Sequence, residues 1–242
     1  MPVLEFAIVP LRAPTTASST RLLHSLHAAK HVQESSSQHA AYYLCDEAGE
    51  AAPQLYIVGT WPSAGYHTAF LPSAANQAVL ASLCGMVRLE GIVMFHVDVD
   101  CCAGGGAGAD DVDVDDGSVS FPALLSTLLF TAPLISVARF RLRRRDDFSA
   151  GARQRLLSLL RACTAPRPVV GGWRVEREGR AETAEGGGGR MEGMEEWLVL
   201  SGFESVEHHR AWTASPEFQR CRAGLEGCVE GGDVRLLRVL EV

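Results

Sequence analysis

The chain repeats itself. Leu55 to Asp100 aligns without a gap on Trp197 to Val242 at a constant offset of 142, and 10 of the 46 paired positions are identical. The identities include Ser63/Ser205, His67/His209, Ser73/Ser215, Gln77/Gln219 and Gly85/Gly227, and the aromatic pairs Trp61/Phe203 and Phe70/Trp212 share the register. Self-similarity of that length fixes the structural unit before any propensity is consulted. It is a half-chain of about 100 residues, a common domain size.

Hydrophobic periodicity fills in each half. Val3 to Leu11 is rich in β formers, Thr20 to Val32 carries Leu22, Leu23, Leu26 and Ala29 at helical spacing, and Ala40 to Asp46 and Leu55 to Trp61 read as strands around a glycine-containing turn. A helix over Ser73 to Val87 and a strand over Ile92 to Val99 complete the order βαββαβ. Ile135 to Leu142, Ala152 to Ala162, Val169 to Arg177, Glu196 to Phe203, Pro216 to Val229 and Val234 to Glu241 give it again. This is the ferredoxin-like arrangement, with helices on one face of a four-stranded sheet. Each unit leaves its other sheet face bare, and apolar burial, worth roughly 25 cal/mol per Å², favours covering the two faces with each other. The expectation is an α+β chain in which two ferredoxin-like repeats, residues 1–100 and 134–242, fuse into one pseudo-dimeric α/β barrel. Between them, residues 101–133 form a Gly/Asp-rich linker with a short apolar helix near Phe121 to Ile135.

Composition excludes several functions. The net charge is −7 and Lys30 is the sole lysine, so a broad basic face for nucleic acid is not expected. Arg139, Arg141 and Arg143 alternate with Phe140 and Leu142, as on a half-buried strand with a solvated arginine face. The seven cysteines, Cys101 and Cys102 among them, show no C-x-x-C spacing, which fits unpaired thiols in a reducing, cytoplasmic setting. The start, MPVLEFAIVPL, reads as a strand and not as a secretory signal, and the apolar stretch before Pro133 is too short to span a bilayer. The acidic run Asp110 to Gly117 resembles half a calcium loop with its glycine one place late, and Pro122 stands where the closing Glu belongs. Neither Gly104 to Gly106 nor Gly186 to Gly189 has the context of a phosphate loop. No metal set, dinucleotide fingerprint or Ser-His-Asp signature is evident, so no cofactor and no metal are expected.

The histidines in the repeated segment are the candidates for chemistry. Imidazole titrates near neutrality, so His67 and His209 suit general acid/base work. Equally, each could brace the strand-helix corner through a backbone carbonyl. His208, adjacent to His209, faces elsewhere on a helix. Trp61, Tyr66, Phe70, Trp197, Phe203 and Trp212 could line an aromatic pocket or simply fill the core. His96 and Arg238, equivalent at the offset of 142, would reach either solvent or the pocket. One general base contributes about 10²–10⁴ in rate, enough for a substrate already close to reacting.

The segments Trp61-Pro-Ser-Ala-Gly-Tyr-His67-Thr-Ala-Phe70-Leu-Pro-Ser73 and Phe203-Glu-Ser-Val-Glu-His-His209-Arg-Ala-Trp212-Thr-Ala-Ser215, the latter running into Pro216-Glu-Phe218, resemble the dimeric α/β-barrel superfamily. The nearest likeness is to antibiotic biosynthesis monooxygenase-type domains in the tandem arrangement met in fungal proteins. It implies a pocket in each half, between sheet and helices, for a small aromatic or polyketide-like molecule. It also implies a cofactor-independent tailoring enzyme of secondary metabolism, a monooxygenase first, with His67 or His209 taking the proton. A non-oxidative cyclase, decarboxylase or isomerase, and a non-catalytic small-molecule-binding or stress-related barrel, are the alternatives. The pseudo-dimer is intramolecular, with room for a further homodimer.

Overall fold

The computed structural model describes residues 1–46, 53–99, 120–142, 144–165, 167–176 and 195–242. The cysteine pair, the acidic run, both glycine runs, Arg143 and Arg177 lie outside these. The first half runs β1 (Val3–Pro10), α1 (Thr20–Ser37), β2 (Ala41–Asp46), β3 (Gln54–Trp61), α2 (Ala64–Phe70), α3 (Ala74–Leu83) and β4 (Val93–Val99). After α4 (Phe121–Thr131), the second runs β5 (Leu134–Leu142), α5 (Ala150–Thr164), β6 (Val169–Arg174), β7 (Glu195–Phe203), α6 (Val206–Thr213), α7 (Pro216–Leu225) and β8 (Val229–Val239).

The eight strands close into one antiparallel barrel in the order β1-β3-β2-β8-β5-β7-β6-β4. Each half contributes a four-stranded block with its first strand central, β4-β1-β3-β2 and β8-β5-β7-β6. The blocks meet at two seams. At one, Leu44, Cys45 and Asp46 of β2 face Val239, Arg238 and Leu237 of β8; at the other, Val97, Asp98 and Val99 of β4 face Arg174, Trp173 and Gly172 of β6. Closure removes the bare sheet edges that two separate blocks would present.

Alternation along the strands sorts side chains into two layers. Leu4, Phe6, Tyr56, Val58, Phe95, Val97, Ile135, Val137, Leu198 and Leu200 fill the barrel interior. The alternate residues pack under the helices: Val9, Tyr43 and Leu55 against α1 and α3, and Leu134, Trp173, Trp197 and Phe203 on the α5 side. Helix α4 is more than a connection. Its Phe121, Leu125, Leu128 and Leu129 join the interior cluster, and Leu128 lies over Gly202 at one end of the barrel.

At the other end the arginine expectation is corrected. Arg139 points into the barrel and pairs with the buried Glu196, which also holds Arg174 at 3.1 Å. Both guanidinium groups lie over the Phe95 ring, 5.2 and 4.5 Å from its centroid. Arg141, one rung further out, is exposed. Closure turned a face that alternation alone marks as solvated into a lining, where one carboxylate shared between two arginines offsets part of the buried charge and the Phe95 ring face meets both cations.

Candidate active site

The strand-helix corners explain much of the repeat. Ser63 and Ser205 cap α2 and α6, their hydroxyls accepting from the Tyr66 and His208 amides at 3.1 and 3.2 Å. Ser73 and Ser215 cap α3 and α7 in the same way. Gln77 and Gln219 each donate a side-chain amide back to the end of the preceding short helix, at the carbonyls of Leu71 and Thr213. With the caps fixed, the fourth residue of each short helix turns inward, and His67 and His209 are both buried against the sheet.

His67 stacks on Trp61 with ring centroids 4.2 Å apart and planes 12° from parallel. Its Nε2 stands 3.8 Å from Oε2 of Glu5, and its Nδ1 lies 2.8 Å from Nε2 of His96. His96 in turn bonds through Nδ1 to Glu176 Oε1, while its backbone N–H donates to Glu176 Oε2 at 2.7 Å. Glu176 follows β6, past the last paired rung of its seam, so the second half completes a cluster built on the first. Four titratable groups stand in line from a residue 5% exposed to a side chain 40% exposed.

Glu5 is the inner end. Trp61 Nε1 and Gln33 Nε2 both donate to its Oε2 at 2.6 Å. Gln33 is held by the Tyr43 hydroxyl and reaches Glu5 through space left by Gly59, the residue opposite Glu5 in β3. A Cβ there would stand 2.9 Å from the Gln33 amide nitrogen. Burial pushes the Glu5 carboxyl up to about 7, against the opposing pull of the Trp61 bond, the nearby His96 and the Gln33 bond. Burial, then repulsion from His96, brings His67 down to about 4, with Glu176 opposing. The pair is therefore a protonatable acid beside a neutral imidazole and not an ion pair. Glu176 is held below the usual carboxylate range: burial works the other way, but the bonds from the His96 ring and backbone prevail.

Beside Glu5 and His67 opens a cavity of about 410 Å³, walled by Ala7, Val9, Leu26, Ile57, Phe70, Val79 and Met94 among others. It lies between the sheet and α1, α2 and α3. A second, of about 830 Å³, occupies the matching place in the second half, with His209, Trp212, Phe140, Phe218, Val199 and Ser201 in its wall. There His209 Nε2 lies 3.4 Å from the Ser136 hydroxyl, and burial, then His208, lowers its pKa.

Strand register shows what differs. Trp61 faces Val3 and Phe203 faces Leu134, so Ser136 stands where Glu5 stands. Glu5 faces His96 and Ser136 faces Leu236, so the counterpart of His96 is Leu236. The equivalence of His96 with Arg238 is thus corrected: the offset slips by two residues before the last strand, and Arg238 is an exposed residue facing Cys45 across the other seam. The second half keeps the histidine and the cavity but has neither the acid nor the second imidazole at these positions.

The other anticipated residues divide. Phe70 and Trp212 line the two cavities. Trp61 is fully buried behind Glu5 as its hydrogen-bond donor, and Tyr66 is 50% exposed on the outer side of α2. Phe203 meets the His209 ring edge-on, and Trp197 packs on Phe140 and Phe148. Sequence reasoning missed Glu5, Gln33 and Glu176. Glu5 carried a signal: it is the one charged residue of an otherwise apolar strand, on the face it shares with Ala7 and Val9. Gln33 extends the buried stripe Leu22, Leu26, Ala29 of α1. Glu176, distant in sequence and set beside a long insertion, carried none. Among the described residues no group of three His, Cys, Asp or Glu could hold a metal, and no helix is long and apolar enough to cross a membrane.

A family model described as a domain of unknown function, DUF1330, matches residues 161–239. No curated protein matches the chain. Among solved structures, a protein of Fusobacterium nucleatum provisionally described as a monooxygenase is similar over 99% of this chain and 93% of its own, with a TM-score of 0.59 at 9% identity. An anthrone oxidase-like protein is similar over 99% and 92%, with a TM-score of 0.54 at 10% identity. A protein provisionally described as a chlorite dismutase is similar over 100% and 96%, with a TM-score of 0.52 at 12% identity. At these identities the likeness is one of fold.

Proposed function

We propose that the chain is a duplicated, fused pseudo-dimer whose first half carries a cofactor-independent acid/base site for a small, flat, weakly acidic aromatic or polyketide-like molecule. The observation that carries this reading is Glu5: a carboxyl buried at the wall of an apolar cavity, poised near neutrality, with donors fixed on one oxygen. A general base works best when its pKa lies near the working pH. The Glu5 carboxylate takes a proton from a substrate C–H flanked by carbonyl and ring, with His67 alongside to share it. The apolar walls strip water from the base and exclude competing donors. The electron-rich carbanion then reacts with dioxygen, the substrate itself supplying the electrons. Monooxygenation is the reading that agrees with the sequence resemblance and with two of the similar folds.

In the second half His209 faces Ser136, so that cavity binds without turning over. Oxygen uptake and product formation with anthrone test both statements. The parent consumes dioxygen; E5Q, which keeps an acceptor for Trp61, falls by about 10²–10⁴, the contribution of one general base; H209A stays within about twofold. An E5Q protein as active as the parent overturns the assignment. Product formed from a polyketide-like substrate without oxygen uptake would move the same site to the non-oxidative class.

A further inference from the structure

We propose that His67, His96 and Glu176 are a proton-conducting chain that joins buried Glu5 to solvent, its outer end supplied by the second half of the molecule. The inference rests on Glu5 being the acid/base group of the first cavity, and it adds three positioning residues to that site. A base sealed in an apolar wall that has taken a proton must discharge it before the next turnover, and an apolar substrate in the cavity blocks water from that side. The chain of rings leads the other way, under α2 and out at the seam.

Donors and acceptors alternate along it without conflict. Glu176, held ionised, accepts from His96 Nδ1–H. His96 Nε2 is then an acceptor for His67 Nδ1–H at 2.8 Å. That leaves His67 Nε2 bare and facing the Glu5 carboxyl at 3.8 Å, a gap that a sub-ångström shift of the carboxyl closes. The tautomers follow from the network. Discharge breaks the Glu5 O–H bond and forms His67 Nε2–H. His67 Nδ1–H passes to His96 Nε2, His96 Nδ1–H to Glu176, and Glu176 releases one proton to water. Each ring ends in its other tautomer, and the proton that the oxygen-derived anion takes up later in the same turnover re-enters by the same path, from Glu176 through His96 and His67 to Glu5, which restores both rings and leaves Glu5 ionised. His67 carries no charge at rest, which suits an imidazole that burial keeps neutral. The titratable groups facing Glu5 are His67 from α2, His96 from β4 and, through Gln33 of α1, Tyr43 of β2.

The second half lacks the wire at its inner links, with Ser136 and Leu236 in place of Glu5 and His96. The geometry is thus confined to the cavity that contains the carboxyl.

The test needs no substrate. A pH jump on the full chain, followed by infrared absorption of the protonated carboxyl band that E5Q lacks, reads proton arrival at Glu5 directly. E176Q and H96N are expected to slow the relaxation at least tenfold while leaving the band in place, and E176D to recover most of the rate. Nitrogen-15 shifts of the parent below about pH 7, where Glu5 holds its proton, should report Nδ1–H tautomers for both His67 and His96. Relaxation of E176Q within twofold of the parent, or Nε2–H tautomers on both rings, overturns the chain while leaving Glu5 as base. A parent with no band that E5Q removes overturns the reading of Glu5 itself. E176Q alters a partly exposed side chain, so it decides the matter even where H96N fails to fold.

Discussion

Glu5 and His67 pull stability in opposite directions with pH. The Glu5 carboxyl holds its proton to about 7 in the folded state against an ordinary 4.5, so between those values the unfolded state ionises first and stability falls as pH rises. His67 refuses a proton down to about 4 against an ordinary 6.5, so the unfolded state gains protons first and stability falls as pH drops. Each effect is on the order of 3 kcal/mol, and across pH 4.5–6.5 they largely offset. E5Q removes the first and keeps the second. Its melting temperature, followed by circular dichroism, should therefore decline on acidification from pH 6.5 to 4 more steeply than that of the parent. An unchanged slope would mean that Glu5 titrates as an ordinary carboxyl. A second expectation concerns Trp61: W61F removes a donor to the carboxylate, so the acid limb of turnover should move to higher pH, measured as kcat/KM against pH.

The elements owe their positions to caps and to one close approach. A Cβ on Gly172 would lie 2.2 Å from the Asp98 carbonyl oxygen and 2.7 Å from the Val99 Cα, backbone atoms that cannot step aside. G172A should destabilise by about 3 kcal/mol through overpacking at the seam, read as a lower urea midpoint. G224A, on α7 with open space around the new methyl, should not. Strands and the longer helices were legible because their apolar spacing is strong, but their ends were not: α1 runs five residues past its expected end, to Ser37, α3 and α7 stop four short, at Leu83 and Leu225, and β8 starts five early, at Val229. The repeated serines and glutamines were visible as repeats, and their capping role follows from the helix starts beside them. Register was not legible. Nothing in the sequence marks the two-residue slip that sets Leu236 in the place of His96, because a shift of two residues leaves the in-and-out alternation of a strand in phase. Nor could periodicity say that Arg139 faces inward, since alternation names two faces without naming which one a partner will cover.

At the scale of the molecule, the barrel is a joint product. Among the described residues the seams comprise three residue pairs each, whereas every other strand pairing has at least five. Yet the interior cluster draws on both halves and on α4, so neither block can bury its inner face alone. Polypeptides divided before α4, so that this helix stays with the second half, should when expressed separately behave as exposed, dye-binding species and regain a single cooperative transition only when mixed, by calorimetry. Independent, monomeric folding of either one would contradict the shared core.

The seam between β4 and β6 does not end with its last paired rung. Val175 donates to the His96 carbonyl at 2.8 Å, and the Glu176 carboxylate then receives the His96 amide, a side chain serving where the neighbouring strand has run out. The stitch that closes the barrel is thereby also the outlet of its deepest acid. Warmed short of melting, the molecule would fray first at its two narrow joins, and parting of this one would silence it while still folded.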